Sequence, residues 1–151
     1  MVATDRARDR SLAGHGPWCS VGAGQARRLV VAVARRADKL EELAREAGGK
    51  VLPLPLDLAN DAQVGGLVDE LGKRGLNIDL LINNAGYACS GPVESVPVAA
   101  IRRQFDVNLF GLIGVTQAVL PSMRANRCGR IVNVSSVAGI LSLPFLGIYC
   151  A

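Results

Sequence analysis

The sequence predicts an α/β protein built on a parallel sheet with helices on both faces, and three observations carry that expectation. Apolar runs of strand length recur at 29–34, 51–57, 79–83 and 129–136. Stretches with apolar residues at helical spacing separate them. The alternation of strand and helix, four strands with three helices between, demands right-handed crossovers and hence a doubly wound sheet.

LVVAVA at 29–34 is unbroken and Val-rich, as a strand buried on both faces should be. ADKLEELAREAGGK follows, with Leu40, Leu43, Ala44 and Ala47 on one helical face and Gly48-Gly49 to end it. VLPLPLD at 51–57 is extended, but Pro53 and Pro55 suit the edge of a sheet better than its centre. A second helix carries Val64, Leu67, Val68 and Leu71, weakened by Gly65 and Gly66. DLLIN at 79–83 is a third strand. A long helical region covers 96–123, with Ile101, Phe105, Leu109, Leu112, Ile113 and Leu120 on its packed side and a kink expected near Pro121. GRIVNVSS at 129–136 is the fourth strand.

Residues 1–28 break the pattern. Their Gly, Arg and Pro content, without either period, reads as an irregular segment, and the ordered domain is expected over 29–151. Residues 1–36 hold seven arginines against two aspartates, so the net charge of +4 sits wholly in the first quarter. The remainder is electrostatically bland, which argues against nucleic-acid binding. No apolar run reaches the roughly 18 residues of a membrane span. Cys19, Cys89, Cys128 and Cys150 form no C-x-x-C pair and have only His15 to join them, so no metal site is expected. Unpaired thiols of this kind fit a reducing, cytoplasmic setting.

Four motifs fall in a fixed order: NNAG at 83–86, DVNLFG at 106–111, GRIVNVSS at 129–136, and Tyr149 thirteen positions after Ser136. In this order and spacing the chain from about Leu29 resembles the short-chain dehydrogenase/reductase family. The tail LPFLGIYCA is similar to its hydroxysteroid-dehydrogenase-like branch, which takes hydrophobic substrates. The resemblance implies an incomplete Rossmann-type domain and an NAD(P)-dependent oxidoreductase that interconverts an alcohol and a carbonyl. It implies that Tyr149 is the general acid/base, that Ser136 steadies the reacting oxygen, and that Asn108 supports the proton relay. It also implies that Asn84, Ala85 and Gly86 approach the cofactor ribose and that Asp57 meets the adenine. Arg35 and Arg36 stand where NAD-preferring members carry an acid, so NADP is expected and NAD is the alternative. The helical region 96–123 resembles the family's dimer-forming helix, implying a homo-oligomer.

Two of the family's features do not match. Its lysine, four residues after the tyrosine, would be position 153, and the sequence stops at Ala151. An unperturbed tyrosine has a pKa of about 10, so about one molecule in a thousand is phenolate at pH 7 without that charge. Counting back from Arg35 puts Gly14 and Gly16 on the last two glycines of the phosphate loop, but Arg10 stands where the first belongs. These two glycines are therefore taken as coincidence. The expectation is a crippled or inactive chain. The alternative is a non-catalytic dimerisation or partner-binding module, or a gene fragment without function.

Overall fold

The run LVVAVA lies in strand β2, Arg28–Ala34, of the computed structural model, which describes residues 2–6 and 28–151. Val31, Ala32 and Val33 are all buried, as a run apolar on both faces requires. Helix α1, Ala37–Glu46, follows and buries Leu40. Gly48 and Gly49, at φ 59° and 80°, turn the chain back after it. Strand β3, Val51–Pro55, is the outermost strand on its side, where its two prolines cost the sheet nothing. The Leu56 amide donates to the Ala34 carbonyl, so by the two-residue period Pro53 and Pro55 turn their missing N–H away from β2.

Asn60 caps helix α2, Asp61–Lys73, by accepting from the Gln63 amide. Val64, Leu67 and Leu71 are buried, while Val68 lies on the wet side. Strand β4, Ile78–Asn83, buries Ile78, Leu81 and Asn83. Val31 and Val33 join the apolar residues of α2, β4 and helix α4 in one core, whereas Ala32 and Leu40 are buried outside that cluster. The sheet thus carries helices on both faces.

The region expected as one helix over 96–123 is three pieces. Helix α3, Val98–Phe105, runs into a π-helical turn at Asp106–Gly111 and then into α4, Leu112–Ala125. The irregularity therefore comes at Asp106–Gly111, and α4 carries Pro121 through to Ala125. The packed side also differs from expectation. Gln104, Val107, Gly111, Val115, Val119 and Met123 are buried, while Leu109 and Ile113 are exposed. An apolar stripe read at α-helical period loses its phase when a wider turn intervenes.

Strand β5, Arg130–Asn133, is shorter than the 129–136 expected. The Val134 amide still reaches the Asn83 carbonyl, but Ser136 already caps a 3-10 turn at Val137–Gly139. A short helix, α5, spans Gly147–Cys150. Cys89 and Cys150 are free thiols, but Cys128 is disulfide-bonded, which corrects the expectation of an unpaired thiol there.

The largest departure lies in 1–28. Val2–Arg6 forms strand β1, described by its backbone, in the middle of a sheet ordered β3-β2-β1-β4-β5. It is antiparallel to both neighbours, with Val2 opposite Ala32 and Ile82 and Arg6 opposite Arg28. The irregular segment expected is thus corrected over these five residues. β2 and β4 face each other across a gap whose N–H and C=O groups need partners, and backbone pairing asks little of the sequence that supplies it. The family's phosphate-loop positions, Gly14 and Gly16 among them, lie outside the described residues.

Gly111 is fixed by close approach. A Cβ there would overlap the carbonyl oxygen of Leu58 and stand 2.8 Å from the Leu58 Cβ. Gly66 on the exposed side of α2 has nothing within 4 Å. Urea denaturation of Gly111→Ala is expected to show a loss of about 1–3 kcal/mol. Gly66→Ala is expected to gain about 0.4–1 kcal/mol.

Candidate active site

The parallel strands β2 to β5 end at one edge of the sheet, and the candidate residues lie on or just beyond it. Arg35 and Arg36 follow β2, Asp57 follows β3, Asn84, Ala85 and Gly86 follow β4, and Ser136 follows β5. This is the edge at which open α/β sheets bind ligands.

Asp57 is tied in place on three sides. Its amide donates to Gln63 Oε1 at 2.8 Å, its Oδ1 accepts from the Ala59 amide at 3.1 Å, and its Oδ2 accepts from Arg103 at 2.8 Å. The Ala59 bond, then the bond and charge of Arg103, and last the charge of Arg35 hold the carboxyl below its ordinary range, against an opposing effect of partial burial. Asp57 in turn raises the Arg103 pKa. The sequence offered no signal for Arg103, an ordinary charge on a helix.

Asn108 sits in the π-helical turn and spends its carboxamide on one residue. Its Nδ2 donates to the Tyr87 carbonyl at 2.7 Å and its Oδ1 accepts from the Tyr87 amide at 3.0 Å. The partner that a polar side chain needs in so apolar a helix is thus a backbone segment just past NNAG. Gly86 packs against this clamp, where a Cβ would meet Asn108 Oδ1 at 3.4 Å, an ordinary van der Waals contact.

Two further side chains hold the loops together. Gln104, buried to 3% exposure, accepts from the Cys89 amide at 2.6 Å and donates to the Ile148 carbonyl at 3.0 Å. It joins the loop after β4 to the helix that carries Tyr149. Asn83, at 1% exposure, donates to Thr116 Oγ1 at 3.0 Å and to Asn133 Oδ1 at 2.8 Å, locking β4 to α4 and β5. Its own Oδ1 is buried without a partner. A glutamine within an apolar stripe was the available sign for Gln104, and the stripe had been placed on the other side of the helix.

Ser136 and Tyr149 come onto neighbouring elements, because α5 packs against the turn that Ser136 caps. The Ser136 hydroxyl accepts from the Ala138 amide at 3.1 Å. Both side chains are half-buried. Nearby, Phe145 holds φ 62°, a left-handed conformation uncommon for an aromatic residue, and its carbonyl accepts from the Gly91 amide at 2.7 Å.

A dinucleotide needs a turn and a helix N-terminus at this edge, between β2 and β4, to receive its pyrophosphate. β1 runs the wrong way for that: it leaves the sheet at Arg6, opposite Arg28, at the far edge. Among the described residues no such seat is formed, and Asp57 is already engaged by Ala59 and Arg103. The described residues therefore do not fit a whole NAD(P) molecule.

A family model described as short chain dehydrogenase matches residues 16–151, beginning ahead of Leu29 and excluding β1. The chain is 40% identical over 126 residues to retinol dehydrogenase 8 of Bos taurus, covering 81% of this chain and 40% of that protein. It is 37% identical over 103 residues to 3-ketodihydrosphingosine reductase of Bacteroides thetaiotaomicron, covering 68% and 38%. A gluconate 5-dehydrogenase from Burkholderia cenocepacia, solved with NADP and tartrate, superposes with TM-score 0.69 at 32% identity, over 79% of this chain and 48% of that one. The chain spans less than half the length of these relatives.

Because the folded Asp57 pKa is depressed, its stabilising contribution is complete above the unfolded value of about 3.9 and disappears as pH falls through the folded value. Denaturation curves across pH should show Asp57→Asn less stable than the wild type near neutrality and level with it in strong acid. Gln104→Leu leaves the Cys89 N–H and the Ile148 C=O unpaired. A loss of about 1–3 kcal/mol is expected, with faster hydrogen exchange at the Cys89 amide.

Proposed function

Since the chain belongs to the short-chain dehydrogenase family, we propose that it derives from an oxidoreductase interconverting an alcohol and a carbonyl, and that the 151-residue chain has little or no turnover. In this reading Ser136 donates a hydrogen bond to the reacting oxygen and Tyr149 exchanges a proton with it. Asn108 holds the Tyr87 segment beside them. The packing of α5 against the Ser136 turn supports the pairing of these two hydroxyls. NADP is preferred to NAD on the strength of Arg35 and Arg36, with no acidic residue between β2 and Asp38. The relatives named for retinol and 3-ketodihydrosphingosine support a hydrophobic alcohol or carbonyl as substrate. Free thiols at Cys89 and Cys150 support a cytoplasmic location, and the disulfide at Cys128 counts against it.

The observation that carries the loss of turnover is the reversed β1, which takes the central strand's exit away from the edge where Asp57, Asn84 and Ser136 lie. A second reading, association without catalysis, draws support from the helical region 96–123, where Leu109, Phe110 and Ile113 are exposed. Among the described residues no helix is long and apolar enough to cross a membrane.

Purified chain supplied with NADPH and a set of apolar ketones and aldehydes should oxidise the nucleotide no faster than a protein-free blank. Titration calorimetry should register no heat of NADPH binding. A robust reductase rate would refute the proposal of a crippled enzyme.

A further inference from the structure

The loop after β4 is held at three points, and two of them reach the segment that carries Tyr149. Asn108 clamps Tyr87 by its N–H and its C=O. The Gly91 amide donates to the Phe145 carbonyl at 2.7 Å. Between them Cys89 is fixed to α3 twice, its thiol donating to the Ala100 carbonyl at 3.6 Å and its amide to Gln104 Oε1 at 2.6 Å. Gln104 then donates from Nε2 to the Ile148 carbonyl at 3.0 Å. That carbonyl and the Tyr149 amide belong to one planar peptide unit. The amide donates to the Leu146 carbonyl at 2.9 Å, so the unit leading into Tyr149 is gripped at both ends. The Gly91–Phe145 bond lies upstream and leaves that unit free to turn.

The position calls for a carboxamide. An N–H on one segment and a C=O on another need an acceptor and a donor on one flat, neutral group. Leucine or methionine would fill the same space, at 3% exposure, and leave both backbone groups unpaired. A carboxylate would accept from Cys89 but has no proton to donate to Ile148. Packing gives no reason for an amide on the buried side shared with Val107, Gly111 and Val115. A fully satisfied buried polar group instead fixes one relative position of the elements it joins. We infer that Gln104 is a positioning residue for Tyr149. It sets the segment bearing the phenol against the loop after β4, in register with the Asn108 clamp on the same helical region. This role rests on Tyr149 being the proton-exchanging group proposed for this site.

The chain holds two tyrosines, Tyr87 and Tyr149, so 3-fluorotyrosine labelling yields two fluorine NMR resonances, assigned with Tyr87→Phe. Gln104→Met keeps the volume and removes both bonds. It should shift the Tyr149 resonance toward the unfolded-chain position while circular dichroism stays unchanged. The Tyr87 resonance should stay in place, since Asn108 still holds its peptide groups. Gln104→Glu restores the donor only while protonated, and burial raises a carboxyl pKa. Its Tyr149 resonance should match the wild type at about pH 5 and approach that of Gln104→Met by about pH 8. Should Gln104→Met fail to fold, the titration of Gln104→Glu decides alone. A Tyr149 resonance that moves no further than Tyr87 in Gln104→Met, or that ignores pH in Gln104→Glu, would overturn the positioning role and leave the proposed reaction standing. Turnover by the wild type would overturn the reading of a crippled enzyme and leave the positioning role standing.

Discussion

The structure depends on filling one slot. β2 and β4 are parallel strands one strand-width too far apart to pair, and everything that positions the site hangs from one or the other. A buried strand that lacks its ladder leaves costly unpaired donors and acceptors, so some segment must lie between them. Val2–Arg6 does so by running antiparallel to both. The sheet is thereby completed for hydrogen bonding. The consequence for chemistry is that the chain leaves its central strand at the edge opposite to the candidate site.

Around that slot the site is held by buried and half-buried amides more than by charges. Asn83 binds β4 to β5 and α4, Gln104 binds the loop after β4 to the Tyr149 helix, and Asn108 clamps the same loop at Tyr87. Each supplies or accepts bonds that would otherwise be left unmet away from water. Such bonds gain in strength from low polarity while their loss costs the full desolvation of both groups. The salt bridge between Asp57 and Arg103, by contrast, is partly exposed and screened by solvent. Hence the scaffold for Ser136 and Tyr149 persists even though no dinucleotide seat forms beside it among the described residues.

The surface tells the same story in apolar area. Ile140 and Phe145 in the loop before α5 are 87% and 66% exposed, and Val132 and Val134 are 40% and 53% exposed. Exposed apolar side chains mark a place where a protein meets another surface when they gather into a patch.

Much of this was legible in the residues themselves. An unbroken Val-rich run marked β2 because burial on both faces admits no polar alternation, and DLLIN marked β4. Pro53 and Pro55 marked an edge because they lack the donor a central strand must supply. The order NNAG, DVNLFG, GRIVNVSS, Tyr149 fixed the family and named the candidate residues, though not their contacts. Tertiary structure alone decided the rest. Val2–Arg6 has no period that singles it out; it became a strand because two distant strands left a vacancy, and direction in a ladder is not written in side chains. Likewise Gln104 and Asn83 acquired their tasks from segments 15 to 50 residues away. Local spacing determines which faces are apolar, but only the assembled chain determines which backbone groups are left wanting partners.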